Sequence, residues 1–315
     1  MSALFIIGNG FDIAHGIPTK YSDFRKFIIA EFPDALERRD EVVYIKDCVD
    51  IYVDEFAVEI LLSTMDKICG ENWSNFEEAL AQIDFSNKFP PPVHEVDETD
   101  EEDCYKMQYY LLYMDMLTSA FIKCTNLWQE SFRVWVKGIE QEIETRKYDT
   151  IPALKELFSR PDTQFFTFNY TKTLQILYGV KKVIHIHNRS GQKLIFGHGA
   201  KDIMYGGLGG DSQICSSFLD DMVMSFKKDT TTPMKKYNKF FKKLKLNSSV
   251  DKIYSYGFSY SKVDSIYTKE LIKRTSPETT WYFTEFDAQD KESLRVKKIK
   301  LRNYGFKGTF ELYEG

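Results

Sequence analysis

The chain has 315 residues, of which 43% are hydrophobic and 28% charged, so it is long enough to bury a core without disulfides or metal ions. No apolar run approaches the roughly 18–20 residues that span a bilayer, and the first residues lack the basic flank of a signal peptide, which predicts a cytoplasmic protein without membrane contact. The five cysteines are far apart and form no CxxC pair, and the net charge of −5 gives no general attraction to nucleic acid.

The first half of the chain is predicted to be one strand followed by helices. Met1–Ile7 is a continuous apolar run, typical of a strand buried on both faces of a parallel sheet. Helical periodicity then dominates to about residue 147. Apolar residues spaced three and four apart predict helices at 22–33, 42–67, 73–80 and 105–146.

The second half of the chain alternates between short β-rich runs and helix-like stretches. Strands are predicted at 164–168, 182–187, 193–196, 252–256 and 280–284. Strands separated by helices indicate a parallel sheet with right-handed crossovers. We therefore expect an α/β protein with a Rossmann-like, mainly parallel sheet built from residues 1–34 and 151–315, interrupted by a large helical insertion at 35–150.

Two segments carry strongly uneven charge. His94–Asp103 holds seven acidic residues in ten, which predicts an exposed, mobile loop. Residues 227–245 hold eight lysines against one acidic residue, with apolar side chains at helical spacing between them. This pattern predicts one amphipathic helix with a solvated lysine face, and leaves open a nucleic-acid contact as the less favoured interpretation.

A glycine-rich loop directly follows the first strand. Gly8-Asn9-Gly10 allows a tight turn that could bring bare backbone N–H groups against a phosphate, and Asp12 follows two residues later. The spacing is not G-x-G-x-x-G, because position 13 is isoleucine, and a simple strand-to-helix turn is the alternative. On the phosphate interpretation, Gly10→Val would abolish nucleotide binding and leave the fold largely intact.

Polar residues follow two of the predicted strands in the second half. Asn169 comes after an apolar strand, where its amide could hold a ribose hydroxyl or orient a water, or could cap the next helix. His185 and His187 share one face of the predicted strand 182–187. Because Cys or carboxylate partners of a metal are not evident nearby, we predict no metal site, a general-base role for His187 and a buried, hydrogen-bonded role for His185.

These segments together resemble a known family. The chain resembles the AbiH family of bacteriophage abortive-infection proteins in five segments, which are GNGFDIAHGIPTKYSDF after Ile7, NWSNFE from Asn72, TFNYTKTL, HIHN and LIFGHG. This family is in turn distantly similar to sirtuin-like NAD-binding proteins. In that comparison GNGFDIAHGIP stands at the sirtuin glycine-rich segment, FNYT at the segment with the catalytic Asn, and HIHN at the segment with the catalytic His. YGFS at Tyr256 resembles the turn that contacts the adenosine end of the cofactor.

The resemblance implies an anti-phage effector that binds NAD or a related nucleotide and hydrolyses NAD. The catalytic residues it implies are Asn169 and His187. The cofactor-binding residues it implies are Gly8, Asn9, Gly10, Phe11, Asp12, Pro18, Thr19, Tyr21, Gly257 and Ser259.

The sequence also departs from the sirtuin pattern. Thr171 stands in place of an Asp, and Asn188 stands in place of a Gly. The four-cysteine zinc module is also absent, which argues against a protein deacylase. The resemblance to sirtuin-like phage-defence proteins implies water in place of acyl-lysine as the acceptor. Two alternatives remain open: a non-catalytic nucleotide-sensing module that acts through a partner, and an effector that targets nucleic acid. A homo-oligomer is also compatible with the sequence.

Overall fold

A computed structural model describes residues 2–34, 53–83, 101–200, 221, 223–246 and 250–315. The chain forms two compact units. The first comprises Met1–Lys20, Arg133–Ile195 and Asp229–Gly315, and the second comprises Tyr21–Phe132 and Phe196–Lys228. That residues 1–34 with 151–315 form one domain and residues 35–150 another stays a prediction.

The described residues form six strands that belong to one sheet in the first unit. They are β1 Ser2–Ile7, β2 Thr163–Thr167, β3 Val183–His185, β4 Val250–Tyr256, β5 Thr280–Thr284 and β6 Thr309–Tyr313. The helices, in chain order, are α1 Gly10–Ala14, α2 Tyr21–Glu31, α3 Val53–Cys69, α4 Phe76–Ala79, α5 Glu101–Thr145, α6 Pro152–Phe158, α7 Thr173–Tyr178, α8 Thr231–Lys236, α9 Asn238–Leu246, α10 Ser265–Arg274, α11 Glu285–Gln289 and α12 Lys291–Asn303.

The sheet has the strand order β3-β2-β1-β4-β5-β6, and every pairing is parallel. This confirms the predicted Rossmann-like α/β fold, because it is the strand order of doubly wound dinucleotide-binding sheets. The strand order changes direction between β1 and β4. Strands β2 and β3 lie on one side of β1, and strands β4, β5 and β6 lie on the other. In such sheets the crevice at the carboxyl ends of the strands, at this reversal, is where ligands bind.

Strand β1 lies at the centre of the sheet and is buried on both faces, as its apolar run predicts. Leu4 and Ile6 belong to the core cluster on one face, and Phe5 and Ile7 to the cluster on the other. All four side chains are at most 1% exposed. Alternate residues of a strand point to opposite faces, so the run of apolar residues fills both cores.

The strand predictions need three corrections. Residues 193–196 form no strand; Ile195 is held instead by a hydrogen bond from its N–H to the carbonyl of His187. β3 ends at His185, because the next residues turn and Asn188 adopts a left-handed φ of 62°. β6 was not predicted, because it is a largely exposed edge strand without a continuous apolar run.

Two helix predictions also change. Residues 227–245 do not form one helix, since α8 and α9 are separated at Tyr237, whose hydroxyl donates to the carbonyl of His185. Of the acidic segment, residues 94–100 lie outside the described residues, while Glu101–Asp103 begin α5 rather than extend a loop.

Within the described part of the chain, no helix combines the length and apolarity that crossing a bilayer requires.

The second unit has an aromatic core. Trp73 stacks on Phe76 at a centroid distance of 5.1 Å, Trp128 stacks on both rings, and Phe24 meets Phe76 edge to face. These side chains are fully buried. Aromatic pairs of this geometry contribute beyond their buried area, which explains why a short segment around Trp73 can anchor helices from distant parts of the chain.

Two pairs of opposite charges in the second unit are buried or half-buried. The Lys228 ammonium, with a side chain 0% exposed, lies 3.1 Å from the Glu77 carboxylate. Arg25 donates two hydrogen bonds to Asp66, which also accepts one from the Trp73 indole at 2.7 Å. Pairing of this kind compensates for the loss of hydration of each charge.

Candidate functional site

The loop after β1 packs directly against the loop after β4, at the strand reversal. The Gly8 N–H donates to the carbonyl of Tyr256 and the Gly10 N–H to that of Gly257, both at 2.9 Å. A Cβ on Gly10 would lie 2.6 Å from the Gly257 Cα, and one on Gly8 would lie 2.6 Å from the Phe258 Cα. Both glycines are therefore needed for backbone packing, and their N–H groups are already hydrogen-bonded. That they also contact a nucleotide stays a prediction.

A buried carboxylate follows that loop in α1. The Asp12 side chain is 1% exposed, and its Oδ2 accepts a hydrogen bond of 2.5 Å from Thr171, whose hydroxyl accepts one from Thr173. Burial raises the pKa of Asp12 to about 6, against the opposing effect of side-chain hydrogen bonds from Thr171, Thr173 and Asn169. The other oxygen, Oδ1, is also fully buried.

Asn169 lies at the carboxyl end of β2 and is 6% exposed. Its backbone N–H donates to the Thr167 hydroxyl, and its backbone carbonyl accepts from Nδ1 of His185. It does not cap α7, which begins after Lys172 without a side-chain cap. Its side-chain Oδ1 is buried and has no hydrogen-bond partner in the described part of the chain.

His185 is a structural residue, as predicted. Because a carbonyl can only accept, Nδ1 donates to Asn169 at 3.1 Å, and Nε2 accepts from the Gln175 amide at 2.8 Å. Burial lowers the pKa of His185 to about 4, so the ring is neutral near pH 7. Both ring nitrogens are thereby committed to holding the loop after β2.

His187 lies in the turn after β3, not on the same strand face as His185. Its ring is 2% exposed, and Nε2 lies 2.9 Å from Oδ1 of Asp264. This is an ion-pair distance, although the ring nitrogen does not meet the geometry of a hydrogen bond. The rings of Phe168, Tyr170 and Tyr267 surround it, with centroids 5.6–5.8 Å away.

Asp264 was not identified from the sequence. It is 6% exposed and comes from the segment after β4, just before α10. Its partner His187 follows β3, so only the strand order brings the carboxylate and the imidazole together. The available signal was an acidic residue shortly after a predicted strand and before a helix, which is a common pattern.

Other predicted binding residues of the first unit have structural contacts. The Asn9 side chain donates to the Thr19 carbonyl at 2.6 Å, which closes the loop that contains Pro18. Phe11 is fully buried between Tyr256 and neighbouring rings, so it is a core residue. Ser259 is exposed.

Tyr21 belongs to the second unit, where it begins α2 and its ring packs on Phe76 at 5.0 Å. Gly257, in the first unit, has a left-handed φ of 59° and forms the turn against Gly10.

Among the described residues, no three His, Cys, Asp or Glu side chains form a group that could hold a metal ion.

A family comparison covers most of the chain, with the family described as Bacteriophage abortive infection AbiH matching residues 4–285. The chain belongs to this family. Membership implies a role in abortive infection of bacteriophage-infected cells. The matched range runs from within β1 to just past β5 and includes Asp12, Asn169, His187 and Asp264. No curated protein sequence matches the chain.

Proposed function

We propose that this AbiH family protein binds NAD, or a closely related nucleotide, at the carboxyl edge of its sheet and hydrolyses NAD to nicotinamide and ADP-ribose. The observation that carries the proposal is the buried pair of His187 and Asp264, with Asn169 at the end of the neighbouring strand β2. The crevice at this edge of a doubly wound sheet is where ligands of such folds bind. A histidine beside a carboxylate in an apolar surrounding is a typical general base.

The reaction breaks the bond between C1′ of the ribose and the nicotinamide nitrogen. Water adds its oxygen to C1′, the bonding electron pair stays on nicotinamide, and one proton of the water is released. His187 would accept that proton, and the Asp264 carboxylate would stabilise the imidazolium that forms. The surrounding Phe168, Tyr170 and Tyr267 rings would limit bulk water around the base.

Incubating the purified protein with NAD and measuring released nicotinamide tests this proposal. We expect His187→Ala to lower the rate about 10²–10⁴-fold, the usual cost of removing a general base, and Asn169→Ala to lower it as well. Both variants should keep NAD affinity within a few-fold. Lys242→Gln, a change on an exposed face, should cleave NAD at the native rate.

Two results would decide against NAD hydrolysis. If His187→Ala cleaves NAD as fast as the native protein, the assigned base is wrong. If the native protein binds NAD and does not cleave it, the non-catalytic sensing module becomes the better description. Asp264→Asn adds a variant of unchanged shape, in which a slower rate with an unchanged melting temperature would support the paired mechanism.

A further inference from the structure

The family resemblance implies that Asp12 contacts a cofactor, whereas its surroundings in the fold indicate a different role. The side chain is 1% exposed, so it offers almost no surface to a ligand. Its carboxylate is enclosed by donors of the chain itself, because the Thr171 hydroxyl donates to Oδ2 at 2.5 Å and the Asn169 amide donates to the same carboxylate. Asp12 is therefore in contact with a residue of the proposed reaction.

The hydrogen bond between Asp12 and Asn169 decides which way the Asn169 amide points. An amide has a donating nitrogen and an accepting oxygen, and a half-turn about the last side-chain bond exchanges the two. An ionised carboxylate only accepts, so the amide nitrogen must face Asp12 and the oxygen must point elsewhere. That oxygen, Oδ1, is buried and has no hydrogen-bond partner among the described residues. The donating half of the amide is thus engaged, and the accepting half is left unused.

The chain holds both ends of this hydrogen bond in place. On one side, Thr173 donates to the Thr171 hydroxyl at 3.0 Å, and this fixes the hydroxyl that donates to Asp12. On the other side, the backbone N–H and carbonyl of Asn169 are both hydrogen-bonded. With the backbone and the carboxylate fixed, only the orientation of the amide is still free to vary, and Asp12 determines it.

A role in stability alone does not account for this buried carboxylate. Burial raises the pKa of Asp12 to about 6, well above the ordinary value of 3.8. The ionised group therefore lowers the stability of the folded protein near pH 7. A group that is kept ionised in a buried place against such a penalty is typical of functional sites.

We propose that Asp12 is a positioning residue for Asn169: its carboxylate accepts the hydrogen bond of the amide nitrogen and so leaves the amide oxygen for the reacting groups. The inference rests on the proposed hydrolysis of NAD, in which Asn169 takes part. It assigns to Asp12 an effect on the rate of cleavage and none on nucleotide affinity. A direct cofactor contact would instead change the affinity.

Steady-state NAD cleavage by Asp12→Asn at neutral pH tests the inference. We expect kcat to fall about 10–100-fold, the usual value of a hydrogen bond to a charged group, and KM to stay within about threefold of the native value. The same substitution removes a buried charge, so the melting temperature should not fall. A slower reaction in a protein that is no less stable cannot result from unfolding, which separates positioning from a purely structural role.

Asp162→Asn is the matched control, because it also converts a carboxylate to an amide. Asp162 is exposed, and its left-handed φ of 65° is one that Asn tolerates, so this variant should keep the native kcat and KM.

A double variant shows whether Asp12 acts through the amide. If it does, adding Asp12→Asn to Asn169→Ala should change kcat by less than about threefold, because the amide is already gone. If Asp12→Asn does not fold, Thr171→Val decides, since it removes a donor that fixes the carboxylate. That variant should lower kcat at least about threefold with KM unchanged, and a native kcat would overturn the inference.

The remaining outcomes separate this inference from the function on which it rests. If Asp12→Asn cleaves NAD with native kcat, or slows Asn169→Ala as much as it slows the native protein, the positioning role is wrong and the proposed hydrolysis stands. A raised KM with native kcat would restore the cofactor contact in its place. If the native protein does not cleave NAD, the proposed function fails, and the positioning role fails with it.

Discussion

In the second unit, Lys228 faces Glu77 and Arg25 faces Asp66, whereas at the carboxyl edge of the sheet in the first unit Asn169 has a buried oxygen with no hydrogen-bond partner among the described residues. Both regions bury polar groups, and both lose the hydration of those groups. The charged pairs of the second unit offset part of that loss through their mutual attraction. The difference separates groups that stabilise the fold from a group without a partner among the described residues.

The largest stability effect is expected at the paired charges. Lys228→Ala should lower the free energy of unfolding by about 3–5 kcal/mol, because it removes the buried ammonium that faces the Glu77 carboxylate. Chemical denaturation measures this change. The double variant Lys228→Met with Glu77→Leu should recover most of the loss, and a single-variant loss below about 1 kcal/mol would break the comparison.

Asp12→Asn, unlike Lys228→Ala, should gain stability relative to the native protein, and the gain should depend on pH. The folded pKa of about 6 lies above the ordinary value of 3.8, so the folded protein holds the proton more tightly, and the contribution of Asp12 to stability falls as pH rises from about 4 to 6. Asparagine does not ionise, so the variant does not lose stability in this way as pH rises. Its stability relative to the native protein should therefore rise over that interval, by up to about 3 kcal/mol.

A difference measurement is needed because His185 acts with the opposite sign. Its pKa is lowered to about 4 from 6.5, so its contribution to stability is lost as pH falls through that interval. The native curve can thus be nearly flat while both groups titrate. Urea unfolding of the native protein, Asp12→Asn and the control Asp162→Asn, a change at an exposed aspartate, checks this at several pH values. Parallel curves for all three proteins would contradict it.

A smaller effect is expected at the glycines. Gly10→Ala should destabilise the protein by about 1–3 kcal/mol, since its Cβ would meet the Gly257 backbone. This replaces the expectation from sequence that Gly10→Val leaves the fold largely intact. Gly138→Ala, in α5 with nothing within 4 Å of the added Cβ, should instead stabilise by up to about 1 kcal/mol. Thermal unfolding that ranks the two variants the other way would contradict the packing role.

The smallest effect concerns the lysines of α9. Lys239, Lys242 and Lys243 are exposed, so their combined replacement by Gln should change stability by less than about 0.5 kcal/mol and leave phage protection intact. Denaturation and a plaque assay measure the two outcomes. Lost protection in a folded variant, with salt-dependent binding of RNA or DNA by the native protein, would favour the nucleic-acid alternative.

The sequence predicts the parts of this fold that have strong local patterns. The apolar run of β1 and the buried role of His185 are both visible from residue types and spacing. The pairing of His187 with Asp264 is not, because it depends on β3 and β4 lying on opposite sides of β1 in one sheet. The packing role of Gly10 is hidden for the same reason, since its partner Gly257 belongs to a distant loop.

The central position of β1 also has a consequence for protein synthesis. Leu4 pairs with Gln164 on one side and Ile253 on the other, so β1 leaves the ribosome long before either of its neighbours is made. At about 5–20 residues per second, β1 waits on the order of 10–50 s for β4. Because Asp264 is translated later still, the pair with His187 forms only when most of the chain has been made. An abortive-infection protein built in this way has no assembled site while its nascent chain is short.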